Sequence, residues 1–282
     1  MLNNPVLHKE MMRMRMRQGK PARIAILTAV ALGIAYFYWV SIGYLLKSQD
    51  AYSSRAIWTM TVMVQFLLIG LLTPSATANA ISQEREQQTW DMLLQTRLTG
   101  KQIIFGKLLA RLTPSLAIIL LGLPVTTFCV LTGLTRSVAS TEITNGYYDP
   151  DRSVSLITFL LAHVAMLVIG AFFATFGLYM SMKFKRTLYA LLATYGFIFG
   201  VLGICTVMLT GMLQMFNPSN SRFMEEFPLM WLNPVYIACE ICGNAQRSYA
   251  AYATIGLLCY AAVTVIMLSR LVVRFRSLAI ER

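Results

Sequence analysis

The chain has 282 residues and a net charge of +12, with 57% hydrophobic and 13% charged residues. A soluble domain is roughly 45–50% apolar and about 25% charged, and surface-to-volume scaling gives a soluble core of this size no room for the excess. The composition therefore excludes a water-soluble globule and predicts an all-α integral membrane protein, one polytopic domain over residues 1–282.

A bilayer core of about 30 Å needs roughly 20 apolar residues of helix, and six segments meet that length. Residues 1–23 precede them and are expected to form a cytoplasmic interfacial helix. Leu7, Met11 and Met14 share one face there, among Arg13, Arg15 and Arg17. The six transmembrane helices are placed at 24–46, 57–81, 112–134, 154–182, 188–216 and 249–268. A cytoplasmic lead-in helix is expected before the third, and a cytoplasmic tail over 269–282. The first apolar run is longer than the roughly 7–15 residues of a signal-peptide core, and its end, Tyr44-Leu45-Leu46-Lys47, lacks a small-residue cleavage pattern. The fourth and fifth runs exceed the bilayer, which predicts tilt or extension.

Lysine and arginine fix the orientation. The amino-terminal segment carries Lys9, Arg13, Arg15, Arg17, Lys20 and Arg23, and the connection between spans two and three carries Arg85, Arg97, Lys101, Lys107 and Arg111. Lys183, Lys185 and Arg186 follow span four, and Arg270, Arg274, Arg276 and Arg282 follow span six. The other loops hold only Lys47, Arg55, Arg136, Arg152, Arg222 and Arg247. Three-quarters of the 24 basic residues thus lie on one side. The positive-inside rule assigns that side, and both termini, to the cytoplasm of the cell (inner) membrane. Charge that alternates with the spans argues for lipid headgroups as the anionic partner and against nucleic acid.

The predicted spans are nearly free of ionisable groups. His163 in span four is expected to be a hydrogen-bonded packing residue, and Gln65 and Gln214 are neutral. An ion-coupled carrier needs charged groups at mid-membrane, so a proton- or sodium-driven carrier is disfavoured. Pro74, Pro114 and Pro124 remove backbone donors inside spans two and three and are possible hinges. Gly196 and Gly200 make a GxxxG pattern with Gly203 one turn on. The pattern reads first as packing within the chain and second as a contact between copies. Cys239 and Cys242 form a CxxC with no second pair to complete a metal site. Packing thiols are the expected role, with a disulfide or metal as the alternative.

No catalytic constellation and no metal or cofactor site is legible. Gly100-Lys101-Gln102 and Gly106-Lys107-Leu108 resemble phosphate-loop fragments. Neither has the required upstream glycine or a Ser or Thr after the lysine. ATP and its Mg are therefore expected on a partner.

The segment 81–107 reads ISQEREQQTWDMLLQTRLTGKQIIFGK. Trp90, Leu93, Leu94 and Leu98 recur at helical spacing among Glu86, Gln87, Asp91 and Gln95, which makes an amphipathic helix beneath the membrane. Such a helix either lies on lipid or acts as a lever on a soluble partner. Thr99 with Gln102 makes a capping box for the helix that follows.

This segment resembles the cytoplasmic loop of type-2 ABC permeases. The resemblance rests on Ile81-Ser82-Gln83-Glu84-Arg85-Glu86, Thr89 to Leu94, Thr99 to Ile103 and Gly106-Lys107-Leu108. Asn4 to Glu10 is similar to the family's amino-terminal helix along the membrane. Trp231-Leu232-Asn233-Pro234-Val235-Tyr236 is similar to the stretch near its outer re-entrant helices, between spans five and six. Trp90-Asp91-Met92 departs from the family, where a smaller apolar residue and then Glu are usual. The resemblance implies that Glu84, Arg85, Glu86, Thr89, Trp90, Leu93, Leu94 and Leu98 form a coupling helix that docks on a separate ABC ATPase. It also implies an exporter in which this permease pairs with a second copy or a homologue. The alternative is a membrane anchor or mechanical coupler that moves no cargo itself.

Overall fold

The computed structural model describes residues 20–47, 51–89, 99–143, 154–216, 230–243 and 247–280, and no strand occurs among them. The predicted amino-terminal interfacial helix, and Trp90, Leu93, Leu94 and Leu98, lie outside the described residues. In chain order the helices are α1 (Lys20–Lys47), α2 (Ala51–Ala78), the short α3 (Ser82–Glu86), α4 (Gly100–Ile143), α5 (Leu156–Lys183) and α6 (Thr187–Tyr195). A π-helical stretch, Gly196–Cys205, joins α6 to α7 (Thr206–Phe216). A 3-10 turn, Met230–Leu232, leads into α8 (Pro234–Gly243), and α9 runs Arg247–Ile280.

Among the described residues five helical stretches are long and apolar enough to cross a membrane: Ser53–Glu86, Gly100–Gly133, Leu156–Lys183, Thr187–Leu209 and Ala253–Phe275. These carry the second to sixth predicted spans. The first, at 24–46, falls in α1. The predicted third span and its lead-in are one continuous helix. Its 44 residues rise about 1.5 Å each, to about 66 Å, twice a bilayer core. Interior Pro114 and Pro124 do not end it. The predicted fifth span is likewise helical throughout, but over Gly196–Cys205 it widens to π geometry.

The bundle is apolar outside as well as inside, as lipid requires. Trp39 is 80% exposed, Ile157 77% and Leu258 69%. Trp58, Ile69, Met166 and Ile169 are buried. α2 is the central helix and packs mainly on α4 and α5; α9 covers α5. One core fills the middle of the bundle. A second, built from Ile81, Ile103, Ile104, Leu178, Met182, Leu271 and Phe275, fills one end. Lys183, Lys185 and Arg186 stand at this end, which is called the charged end below.

Polar side chains inside the bundle are used for helix contacts. The Gln65 amide donates to the Ile118 carbonyl at 3.0 Å and takes the space over Gly122, where a Cβ would lie 1.9 Å from its nitrogen. His163 pairs Nδ1 with the Phe159 carbonyl at 2.8 Å and rests on the Phe159 ring, with centroids 4.4 Å apart. That is the packing role expected of it.

Candidate functional site

The charged end holds the segment that sequence reasoning singled out. α2 stops at Ala78, and the Ala80 N–H turns back to the Thr77 carbonyl at 3.0 Å. α3 then starts at Ser82 without a cap of its own, because Ile81 has no side-chain acceptor. Ser181 of α5 supplies one. Its hydroxyl accepts from the Ile81 N–H at 2.8 Å and from the Ser82 N–H at 2.9 Å. A helix start left with buried, unpaired N–H groups would be costly, so this serine sets where α3 begins. Gly177, one turn earlier, permits the approach: a Cβ there would stand 2.2 Å from Thr77 Oγ1.

The next three residues each hold a different element. Glu84 forms an ion pair with Lys107 of α4 at 2.7 Å, with the two side chains only 8% and 1% exposed. Lys107 also donates to the Ala80 carbonyl at 3.1 Å. Arg85 donates to the Met182 carbonyl at the end of α5, at 3.0 Å. Glu86 accepts from the Thr187 N–H at 2.7 Å and from its hydroxyl at 2.9 Å. That places a carboxylate on the first turn of α6, where helix N–H groups and the dipole favour negative charge. Glu84 therefore faces inward and anchors the segment; it is not a surface offered to a soluble partner. A buried charge survives only when paired, and Lys107 is the pair.

After α3 the chain reverses. Gln88 adopts φ 56°, a left-handed conformation that costs a non-glycine residue about 1–2 kcal/mol. Thr89 folds back, its N–H on the Glu84 carbonyl at 2.9 Å. At Thr99 the expected capping box is present. The Thr99 N–H donates to Gln102 Oε1 at 2.9 Å, and the Gln102 N–H reaches Thr99 Oγ1 at 3.4 Å. Thr99→Ala is expected to destabilise the start of α4 by about 1 kcal/mol, read as faster amide exchange over Lys101–Ile103.

The possible hinges sit deeper. Pro74 and Pro114 belong to facing helices, linked beside them by a 2.6 Å hydrogen bond between the buried hydroxyls of Thr73 and Ser115. At two of the three prolines a tyrosine from another helix donates to the carbonyl one residue past the one the ring leaves without its donor. Tyr195 donates to Leu71, three residues before Pro74, and Tyr38 donates to Leu121, three residues before Pro124. Proline in a membrane helix is tolerated where such neighbours re-satisfy the backbone.

Among the described residues no helix closes on the glycine pattern in the fifth span. A Cβ on Gly196 or Gly200 would meet nothing within 4 Å among the described residues, and on Gly203 only the Ile198 carbonyl at 3.7 Å. The Gly203 carbonyl is put to use instead: it accepts from Asn233 Nδ2 at 3.3 Å. Asn233 also caps α8, its Oδ1 accepting from the Val235 N–H at 2.9 Å. Nearby, Met63, Phe66, Ile169, Phe173, Ile198 and Val235 line an apolar cavity of about 230 Å³.

Cys239 is a free, exposed thiol. Partial desolvation by its surroundings, and then the neighbouring Glu240, push its pKa up, away from a reactive thiolate. The Cys242 side chain is outside the described residues. Among the described residues no three His, Cys, Asp or Glu side chains gather as metal ligands.

Sequence reasoning missed Lys107, Ser181 and Thr187 as partners of the segment. The one available signal was a lysine amid the apolar run Ile103 to Leu112, since such a residue needs a counter-charge. No curated protein matches the chain in sequence. The family model described as an ABC-2 family transporter protein matches residues 5–276, nearly the whole length. The chain therefore belongs to the ABC-2 transporter family, as a multi-pass membrane permease.

Proposed function

We propose that this permease is the membrane subunit of an exporter driven by a separate ABC ATPase, which docks on residues 87–98, the segment adjoining Glu84–Glu86, and carries the ATP and Mg. Six spans cross the cell membrane with the charged end and both termini in the cytoplasm. Two copies, or this chain and a homologue, enclose the pathway. One observation carries the reading: consecutive Glu84, Arg85 and Glu86 hold α4, α5 and α6. A push on the adjoining segment is thereby delivered to three spans at once, with Pro74, Pro114 and Pro124 as flexing points. The apolar cavity supports a lipidic or amphipathic cargo over a small ion.

The test is transport in vesicles reconstituted with the matched ATPase. Trp90→Asp with Leu94→Asp is expected to leave insertion and basal ATP hydrolysis intact. Transport should fall about tenfold or more, as for the loss of central docking residues. Unchanged transport overturns the assigned segment. An ATPase that never co-purifies in mild detergent overturns the exporter. Docking and hydrolysis without any cargo movement would favour the mechanical coupler.

A further inference from the structure

A groove of about 380 Å³ opens between α5, the π-helical stretch and α9. That size suits a small-molecule or chain-like ligand, for which pockets run roughly 300–1,000 Å³. Phe172, Phe176 and Phe197 form its wall, with Tyr179 and Met267 beside them and Arg270 at its mouth. The wall is held rigid by ring contacts: Phe176 stacks on Phe197 at 4.4 Å, and Phe172 meets Tyr260 edge-on at 4.8 Å.

The charge arrangement is lopsided. Arg270 is exposed, and among the described residues it has no ion pair or hydrogen bond. No carboxylate lines the groove. Among the described residues the two acids at this end are engaged elsewhere, Glu84 on Lys107 and Glu86 on Thr187. Arg274, one turn on from Arg270, lies close enough to Arg85 for the two charges to repel. Lys183, Lys185 and Arg186 add further exposed cations at the same end. The groove is therefore greasy along its length and positive at one end, at the depth where the helices leave the hydrocarbon. An arginine that snorkels to that level without a counter-ion among the described residues takes one from the bilayer.

We propose that the groove is a resident site for one anionic phospholipid of the leaflet at the charged end. One acyl chain lies on Phe172, Phe176 and Phe197, and the phosphate lies on Arg270. With no carboxylate in the groove, Arg270 also supplies most of the field that separates an anionic headgroup from a zwitterionic one, and Arg274 adds to it.

Native mass spectrometry of the full chain in mild detergent tests this, with phosphatidylglycerol and phosphatidylcholine of identical acyl chains as probes. The unaltered protein should retain phosphatidylglycerol over phosphatidylcholine by about fivefold or more, the preference that one to two interfacial cations confer. Arg270→Gln should erase most of that preference, and Arg270→Lys should keep it. Val263→Trp, which fills the groove, should lower retention of both lipids; Val263→Phe serves if the tryptophan variant does not fold. The proposal is overturned by a wild-type preference that survives Arg270→Gln, or by filled-groove variants that hold both lipids as before. It is equally overturned if filling the groove dissociates a dimer while lipid retention stays constant, because the occupant is then a second copy.

Discussion

Lys107→Met is expected to be among the most damaging single substitutions at the charged end, lowering stability by about 3–5 kcal/mol. The cost comes less from losing an attraction than from what remains. Glu84 stays 6% exposed, its carboxylate without a counter-charge. One of its oxygens, Oε2, already lacks a hydrogen-bond partner among the described residues. The Ala80 carbonyl loses its donor as well. On soluble-domain scaling this corresponds to a melting midpoint lower by about 10 °C, read by fluorescence in detergent. Glu84→Gln should cost nearly as much, about 3 kcal/mol, because Lys107 is then the buried charge without a counter-charge, softened by the amide oxygen it can still donate to. Glu84→Leu with Lys107→Met should recover most of the loss, since replacing both members of a buried pair with apolar residues is often close to neutral. A Lys107→Met midpoint equal to that of the parent would mean that the pair is not buried in the membrane-embedded protein.

The double variant also separates stability from coupling. A protein as stable as the parent, but hydrolysing ATP on its partner without moving cargo, would show that the Glu84–Lys107 link transmits force. A protein with full transport would assign the link to folding alone.

What was legible in the sequence was local or summed over many residues. The apolar runs gave the spans because bilayer thickness sets helix length, whatever the neighbours. The Thr99–Gln102 box was readable because both partners lie within one turn. The inward turn of Glu84 was not. An acidic residue in an amphipathic pattern is ordinarily solvated, and its burial depends on Lys107, 23 positions on. The Ser181 cap on α3 spans 99 positions to Ser82, and no local pattern announces it. The glycines show the complementary limit. GxxxG permits a close approach but does not supply the second helix, and at Gly196 and Gly200 none comes from the described residues. The π geometry there had no sequence mark such as proline, because widened turns are fixed by what packs on them. Here that includes Asn233 on the Gly203 carbonyl and on the Thr206 hydroxyl, the latter at 2.8 Å.

Gly256→Ala is expected to destabilise the opposite end of the bundle by about 3 kcal/mol, combining overpacking with lost buried hydrogen bonds. A Cβ at this position of α9 would stand 2.2 Å from the Trp231 carbonyl oxygen and 3.0 Å from Ile237 Cδ1. The isoleucine can rotate away, but the carbonyl belongs to a turn fixed on every side. One turn along α9, the Tyr260 hydroxyl holds the Leu232 carbonyl. Asn233 is fastened to Thr206 and Gly203 through its amide nitrogen and to the start of α8 through its oxygen. Pro234 then fixes its own φ at the first helical position of α8. Moving Trp231 by the ångström that a methyl group demands loosens this clamp and exposes the π-helical carbonyls it serves. Asn233→Ala should cost about 1–3 kcal/mol by the same route. Combined with Gly256→Ala it should cost less than the sum, because both act on one turn. The sign of the glycine effect decides the matter. In a helix that met nothing at this position, alanine would stabilise by about 1 kcal/mol relative to glycine. A higher melting midpoint for Gly256→Ala would therefore remove the Trp231 turn from α9, and with it the anchoring of the Asn233 cap.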